Sequence, residues 1–96
     1  MDIPTKQTPE ISDLEEIDNN IGLGNRVILY NDDWHTFEEV ISQIIKATNC
    51  TFIEAQDKTF EVHTKGKAVV YSGEMPACLK VSGILEEIQL HTQIEA

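Results

Sequence analysis

Two stretches of this chain, Thr36-Phe37-Glu38-Glu39 and Thr51-Phe52-Ile53-Glu54, carry the same helix-start signature. In each, the threonine hydroxyl accepts from the backbone N–H three residues on, and the glutamate there reaches back to the threonine's own N–H. The first helix is predicted from Thr36 to about Asn49. Its Phe37, Val40, Ile41, Ile44 and Ile45 recur at three-and-four spacing and form one apolar stripe. The second helix has apolar positions at Phe52, Ala55, Phe60 and Val62, with Thr59 and His63 close by, and Gly66 after Lys65 stops it. A hairpin of such helices lays the last turn of the second beside the first turn of the first. Phe37 and Val40 then stand next to Thr59, Val62 and His63.

Short apolar runs flank the hairpin. Arg26–Tyr30 reads as a first strand, and Lys67–Tyr71 as a second, broken by Ser72-Gly73. Pro76 suits the first turn of a third helix, where its missing N–H would be unpaired anyway. That helix uses Leu79, Val81, Ile84 and Leu85 and frays near Glu86-Glu87. Ile88, Leu90, Thr92 and Ile94 alternate with polar residues, the period of a third strand. The fold class is therefore α+β: one small domain in the order β-α-α-β-α-β. A three-stranded antiparallel sheet carries three helices packed on one face, a layering that would bury these stripes.

Charge is distributed unevenly. Residues 1–24 hold Asp2, Glu10, Asp13, Glu15, Glu16 and Asp18 against Lys6 alone, with two prolines and no aromatic residue. Such a stretch cannot bury enough apolar surface to offset the entropy of ordering it, so a disordered acidic extension is expected over 1–24, ahead of a folded domain at 25–96. The formal net charge of −10 excludes a nucleic-acid backbone as an attractive partner. No apolar run approaches the length of a membrane span, so no membrane association is expected. No charged segment followed by an apolar one opens the chain, so no secretory leader is expected. Cys50 and Cys78 form neither a CxxC pair nor a zinc spacing and read as reduced thiols, which fits a cytoplasmic protein.

The chemistry concentrates in Asn31-Asp32-Asp33, at the exposed corner between the first strand and the first helix. Two carboxylates and an amide there can bind a cation, cap a helix or hold a peptide amine. A metal site from Asp32, Asp33, His35 and His63 matches no established ligand spacing. No serine or cysteine sits in a nucleophile context, and no glycine-rich phosphate loop is present, so neither enzyme activity nor a cofactor is expected. His35 and His91 read as surface residues. His63 is either a satisfied structural histidine or, if the hairpin turns it toward the corner, part of a rim with Asn31 and Asp32. That rim would border an apolar depression suited to a ligand with a cationic head and an apolar body.

Val27-Ile28-Leu29-Tyr30-Asn31-Asp32-Asp33 and Val62-His63-Thr64-Lys65-Gly66-Lys67-Ala68, at their separation in this chain, resemble the ClpS family of Clp protease adaptors. The resemblance runs from about Arg26 to Ile94. It implies an adaptor that binds N-terminal degrons, a free α-amino group followed by a bulky hydrophobic first residue, and delivers them to a Clp AAA+ protease. By resemblance, Asn31, Asp32 and His63 would hold the α-amino group and first peptide unit. Phe37, Val40, Thr59, Val62 and Leu90 would line the pocket for the first side chain. Lys80, with Glu74 and Met75, would belong to the docking surface for the N-domain of a ClpA- or ClpC-type ATPase. The protein would act as a monomer. Phe37 and Thr59 stand where the family carries pocket methionines. An alternative keeps docking on the ATPase but regulates it without binding degrons.

Overall fold

The computed structural model describes residues 24–96, and the acidic extension falls almost wholly outside them. Strand β1 is Asn25–Tyr30, helix α1 Phe37–Thr48, helix α2 Phe52–Lys65, strand β2 Lys67–Gly73, helix α3 Met75–Glu86 and strand β3 Thr92–Glu95. The order is the β-α-α-β-α-β read from the sequence. β1 lies in the middle of the sheet, antiparallel to β2 on one side and β3 on the other.

Both helix starts form as the sequence dictates. Thr36 Oγ1 accepts from Glu39 N–H at 3.1 Å while Glu39 accepts from Thr36 N–H at 2.8 Å. Thr51 and Glu54 repeat this at 3.1 and 3.0 Å. Asn49 ends α1 and Gly66 ends α2, each in the left-handed region that a helix C-cap requires. Alternate residues of β1 feed the core: Val27 and Leu29 are fully buried, packed with Val40, Ile41 and Ile44 of α1, Ala55 and Val62 of α2, and Val81 and Leu85 of α3. Gln43, buried in α1, donates to the Ile84 carbonyl at 2.7 Å, supplying one partner for the end of α3.

Three sequence expectations change. The alternation over Ile88–Ile94 is not one strand. Glu87–Leu90 turn the chain back toward the sheet, with Gln89 at φ 69°, and pairing starts only at Thr92. Ile88 and Leu90 alternate because both still touch the core from the turn. Ser72-Gly73 does not break β2, since both residues pair with the start of β1. Phe52, Phe60 and Leu79, read as core positions, are more than half exposed. In α2 the core face is carried by Ala55, Thr59 and Val62, whose spacing of four and three leaves Phe52 and Phe60 outside it.

Candidate functional site

The sheet brings three turns to one end of the molecule. Asn31 N–H donates to the Gly66 carbonyl at 2.9 Å, tying the β1–α1 turn to the end of α2. Tyr30 N–H donates to the His91 carbonyl at 3.0 Å, tying it to the approach of β3. Between these anchors lies a cavity of about 340 Å³, near the lower end of the ~300–1,000 Å³ typical of small-ligand sites. Asn31, Asp32, Phe37, Val40, Thr59, Val62, His63 and Leu90 all line it, joined by Leu29, Tyr30, Asp33, His35 and Thr36.

The lining is divided by chemistry. Val40, Val62 and Leu90 are buried and form apolar walls. Thr59 is also buried, and its hydroxyl donates to the Ala55 carbonyl at 2.8 Å, so its polar group is satisfied within α2. Phe37 stands half out at the mouth. The exposed His63 meets it edge-on, ring centroids 5.2 Å apart, which confirms the predicted meeting of the two helix ends. Asn31, Asp32 and His63 thus share the rim.

Asp32 organises the turn. Its Oδ1 accepts from the N–H groups of Trp34 at 3.1 Å and His35 at 2.9 Å, and its Oδ2 faces His35 Nδ1 at 2.6 Å. Burial pushes this carboxyl up, but the bonds from His35 and Trp34 and the nearby His35 charge outweigh it and hold Asp32 below its ordinary value. A carboxylate offers roughly four acceptor positions. Three are occupied here, leaving one on Oδ2.

His35 corrects the sequence reading most sharply. Its side chain is 3% exposed, not on the surface. The ring lies between Asp32 Oδ2 and the Ile88 carbonyl, each at 2.6 Å. Taken alone, an aspartate three residues before a histidine at a helix entry hints at the first contact. Nothing local hints at the second, across 53 residues of chain. This arrangement also removes His35 from the metal set weighed from sequence. Among the described residues no group of three or more His, Cys, Asp or Glu side chains converges in a way that would hold a metal. Nor is any described helix long and apolar enough to cross a membrane. Cys50 and Cys78 are free thiols.

Glu74, Met75 and Lys80 lie away from the cavity, exposed along the first turns of α3. Glu74 occupies the N-cap without a side-chain bond, and Met75 and Leu79 expose 43% and 58% of their surface beside Lys80.

Comparison with known proteins agrees with this architecture. Residues 24–93 match the family described as ATP-dependent Clp protease adaptor protein ClpS. The solved structure of Agrobacterium tumefaciens ClpS2 bound to L-phenylalaninamide superposes with a TM-score of 0.70. That likeness covers 74% of this chain and 93% of the other at 19% identity, and establishes the shared fold. Part of the human E3 ubiquitin-protein ligase UBR1 is 30% identical over 66 residues, 69% of this chain but 4% of that protein. The Drosophila melanogaster UBR1 is 32% identical over 59 residues, 62% of this chain and 3% of its own length. The family match, spanning most of the chain and both site-bearing segments, shows that this protein belongs to the ClpS family of protease adaptors.

Proposed function

We propose that the cavity binds N-terminal degrons and that the protein delivers them to a Clp AAA+ protease, without chemistry of its own. The observation that carries this reading is the meeting of two unlike surfaces at one mouth. A rim of Asn31, Asp32 and His63 borders walls of Val40, Val62 and Leu90. A free α-ammonium supplies the donor for the open Asp32 position, and Asn31 and His63 offer further acceptors. Charge-assisted bonds of this kind contribute about 1.5–3 kcal/mol each. Burying a Phe or Leu side chain contributes about 1.5–3 kcal/mol more. After the cost of association, roughly micromolar affinity follows only when both contributions are present. The ligand in the ClpS2 structure, L-phenylalaninamide, has this composition: a free amine, an amide and an aromatic side chain.

The test is a titration with Phe- and Leu-initiated peptides, each with a free and an acetylated N-terminus. Binding of the free forms and loss of the acetylated ones is expected. Equal binding of both would remove the amine from the mechanism.

For delivery, the exposed Glu74, Met75 and Lys80 region of α3 is the proposed dock for the N-domain of a ClpA- or ClpC-type ATPase, with the acidic extension engaging the ATPase during handover. Removing residues 1–20 should leave peptide affinity unchanged, since among the described residues the cavity lining begins at Leu29. Turnover of an N-degron reporter by the Clp protease should fall. A second reading, an ATPase regulator that binds no degron, draws on one observation: three acceptor positions of Asp32 are already used inside its own turn. The same titration decides between the two.

A further inference from the structure

His35 lies between two acceptors. Asp32 Oδ2 and the Ile88 carbonyl oxygen both accept hydrogen bonds and donate none, and both stand 2.6 Å from a ring nitrogen. A neutral imidazole has one N–H and one lone pair, so it satisfies one of these contacts and turns a lone pair on the other. Only the imidazolium donates to both.

The two acceptors belong to different walls of the cavity. Asp32 is on the β1–α1 turn. Ile88 is on the α3–β3 turn, two residues before the wall residue Leu90 and next to Gln89 in its left-handed conformation. The far side of that turn is held from α3, where Thr92 donates to Glu86 at 2.8 Å and Ser82 meets Thr92 at 2.6 Å. On the cavity side, Tyr30 N–H holds the His91 carbonyl just after Leu90, and the contact to His35 ties the preceding Ile88 to the rim. Trp34 covers one face of the His35 ring, centroids 3.8 Å apart, and shields it from solvent.

We propose that His35, as an imidazolium, is a positioning residue of the peptide site. It fixes the Asp32 carboxylate and the Leu90 wall relative to each other, and it does so only while both ring nitrogens carry protons. The role in peptide binding rests on the degron reading given above. The clamp between the two turns does not.

The groups around the ring favour the charged form. Asp32 faces it from the turn and Glu39 from α1, while the α3–β3 turn presents a backbone carbonyl. His63 of α2 lines the same cavity. Burial alone would lower the His35 pKa, but the bond to Asp32, the bond to Ile88 and the two carboxylate charges outweigh it and raise it above 6.5. When the ring loses a proton, the tautomer that keeps Asp32 abandons the Ile88 carbonyl, and the turn before Leu90 keeps the Tyr30–His91 backbone bond but loses its side-chain tie to the rim.

The experiment uses the full chain with nitrogen-15 label. Long-range proton–nitrogen spectra at pH 6.5 should show both His35 ring nitrogens protonated. On raising the pH, the backbone amides of Gln89 and Leu90 should shift in step with the ring. A neutral ring at pH 6.5, or a titration that leaves those amides unmoved, overturns the proposal. Affinity for a Phe-initiated peptide is then compared between the parent and His35→Asn, which keeps one donor for Asp32 but cannot span to Ile88. Ionisation of the peptide amine cancels in that ratio. The variant should bind about tenfold more weakly at pH 6, the loss of one charge-assisted tie, and the ratio should fall toward one at alkaline pH. A ratio that is constant across pH, as a role of shape alone gives, or that grows with pH, refutes positioning by the charge. If the peptide binds neither protein, the degron reading fails, and the ring and amide spectra still decide whether His35 holds the two turns together.

Discussion

At the β1–α1 turn the polar groups are bonded inward. Asp32 accepts from two backbone N–H groups and a buried ring, Thr36 and Glu39 satisfy each other, and Asn31 N–H is held by the Gly66 carbonyl. At the start of α3 the N-cap Glu74 makes no side-chain bond, and Met75 and Leu79 stand out into solvent. Both regions are proposed binding surfaces, yet only the first is pre-organised. A ligand as small as one amine and one side chain gains too little from contact to pay for ordering its site as well, so its acceptors must be fixed beforehand. A partner protein spreads its contacts over a wide area and needs only an accessible apolar and charged face. The difference predicts that substitutions in the turn couple binding to stability, while substitutions on α3 do not.

The largest effect is expected at Asp32. Asp32→Ala removes the acceptor of two backbone N–H groups and leaves the buried His35 ring without its anion. It should abolish measurable peptide binding and also lower stability by about 2 kcal/mol. Asp32→Asn keeps an oxygen for the two N–H groups but loses the charge. It should melt closer to the parent and still bind at least about tenfold more weakly. Thermal melts and peptide titrations on both variants check this. Parent-like affinity in Asp32→Asn would break the assignment of the amine to this carboxylate.

Selectivity comes next. Phe37, bulkier and stiffer than an unbranched side chain, narrows the mouth, while Thr59 contributes a small side chain deeper in. Phe-, Tyr- and Trp-initiated peptides should bind at least as well as Leu-initiated ones, and Ile- and Val-initiated peptides poorly. Phe37→Ala should admit the β-branched residues. A peptide array read with the parent and the variant tests this, and equal signals for Ile and Phe on the parent would remove Phe37 as the gate.

The cavity was legible from sequence because helix physics alone builds most of it. Two capping boxes fix where α1 and α2 start, and the hairpin then has to bring Phe37 and Val40 against Thr59, Val62 and His63. His35 was not legible. Its environment depends on the Ile88 carbonyl, and where that carbonyl points depends on the turn at Glu87–Leu90, which the alternating pattern disguised as strand. Phe52, Phe60 and Leu79 failed for a related reason. Apolar character places a residue near a stripe, but the neighbours that pack define its edge, and α2 packs along Ala55, Thr59 and Val62.

A smaller effect is expected in the pH dependence of stability. The His35 pKa is raised from 6.5, so its contribution is complete below that value and is lost as pH rises through the raised one. The Asp32 pKa is lowered from 3.8, so its contribution is complete above that value and is lost as pH falls through the lowered one. The pair therefore contributes in full between 3.8 and 6.5. The melting difference between the parent and His35→Asn should be largest in that window, with about 1 kcal/mol moving Tm by roughly 4–8 °C for a domain of this size. It should shrink on both sides. A difference that is flat with pH would mean that the ring packs there without holding charge.

The smallest effect on the folded domain is expected on α3. Lys80 is exposed, two turns from the N-cap of its helix and outside the cavity lining. Lys80→Glu reverses a charge without touching a buried contact, and surface substitutions of this kind stay within about 0.5 kcal/mol. Melting temperature and peptide affinity should match the parent. Docking on the N-domain of the Clp ATPase should weaken, mostly through slower association, and the loss should fade as salt screens the charge. Measuring ATPase binding at low and high ionic strength, beside a peptide titration on the same sample, sets the two surfaces against each other. If Lys80→Glu weakened the peptide and spared the ATPase, the division of labour between the ordered turn and the open helix face would be reversed.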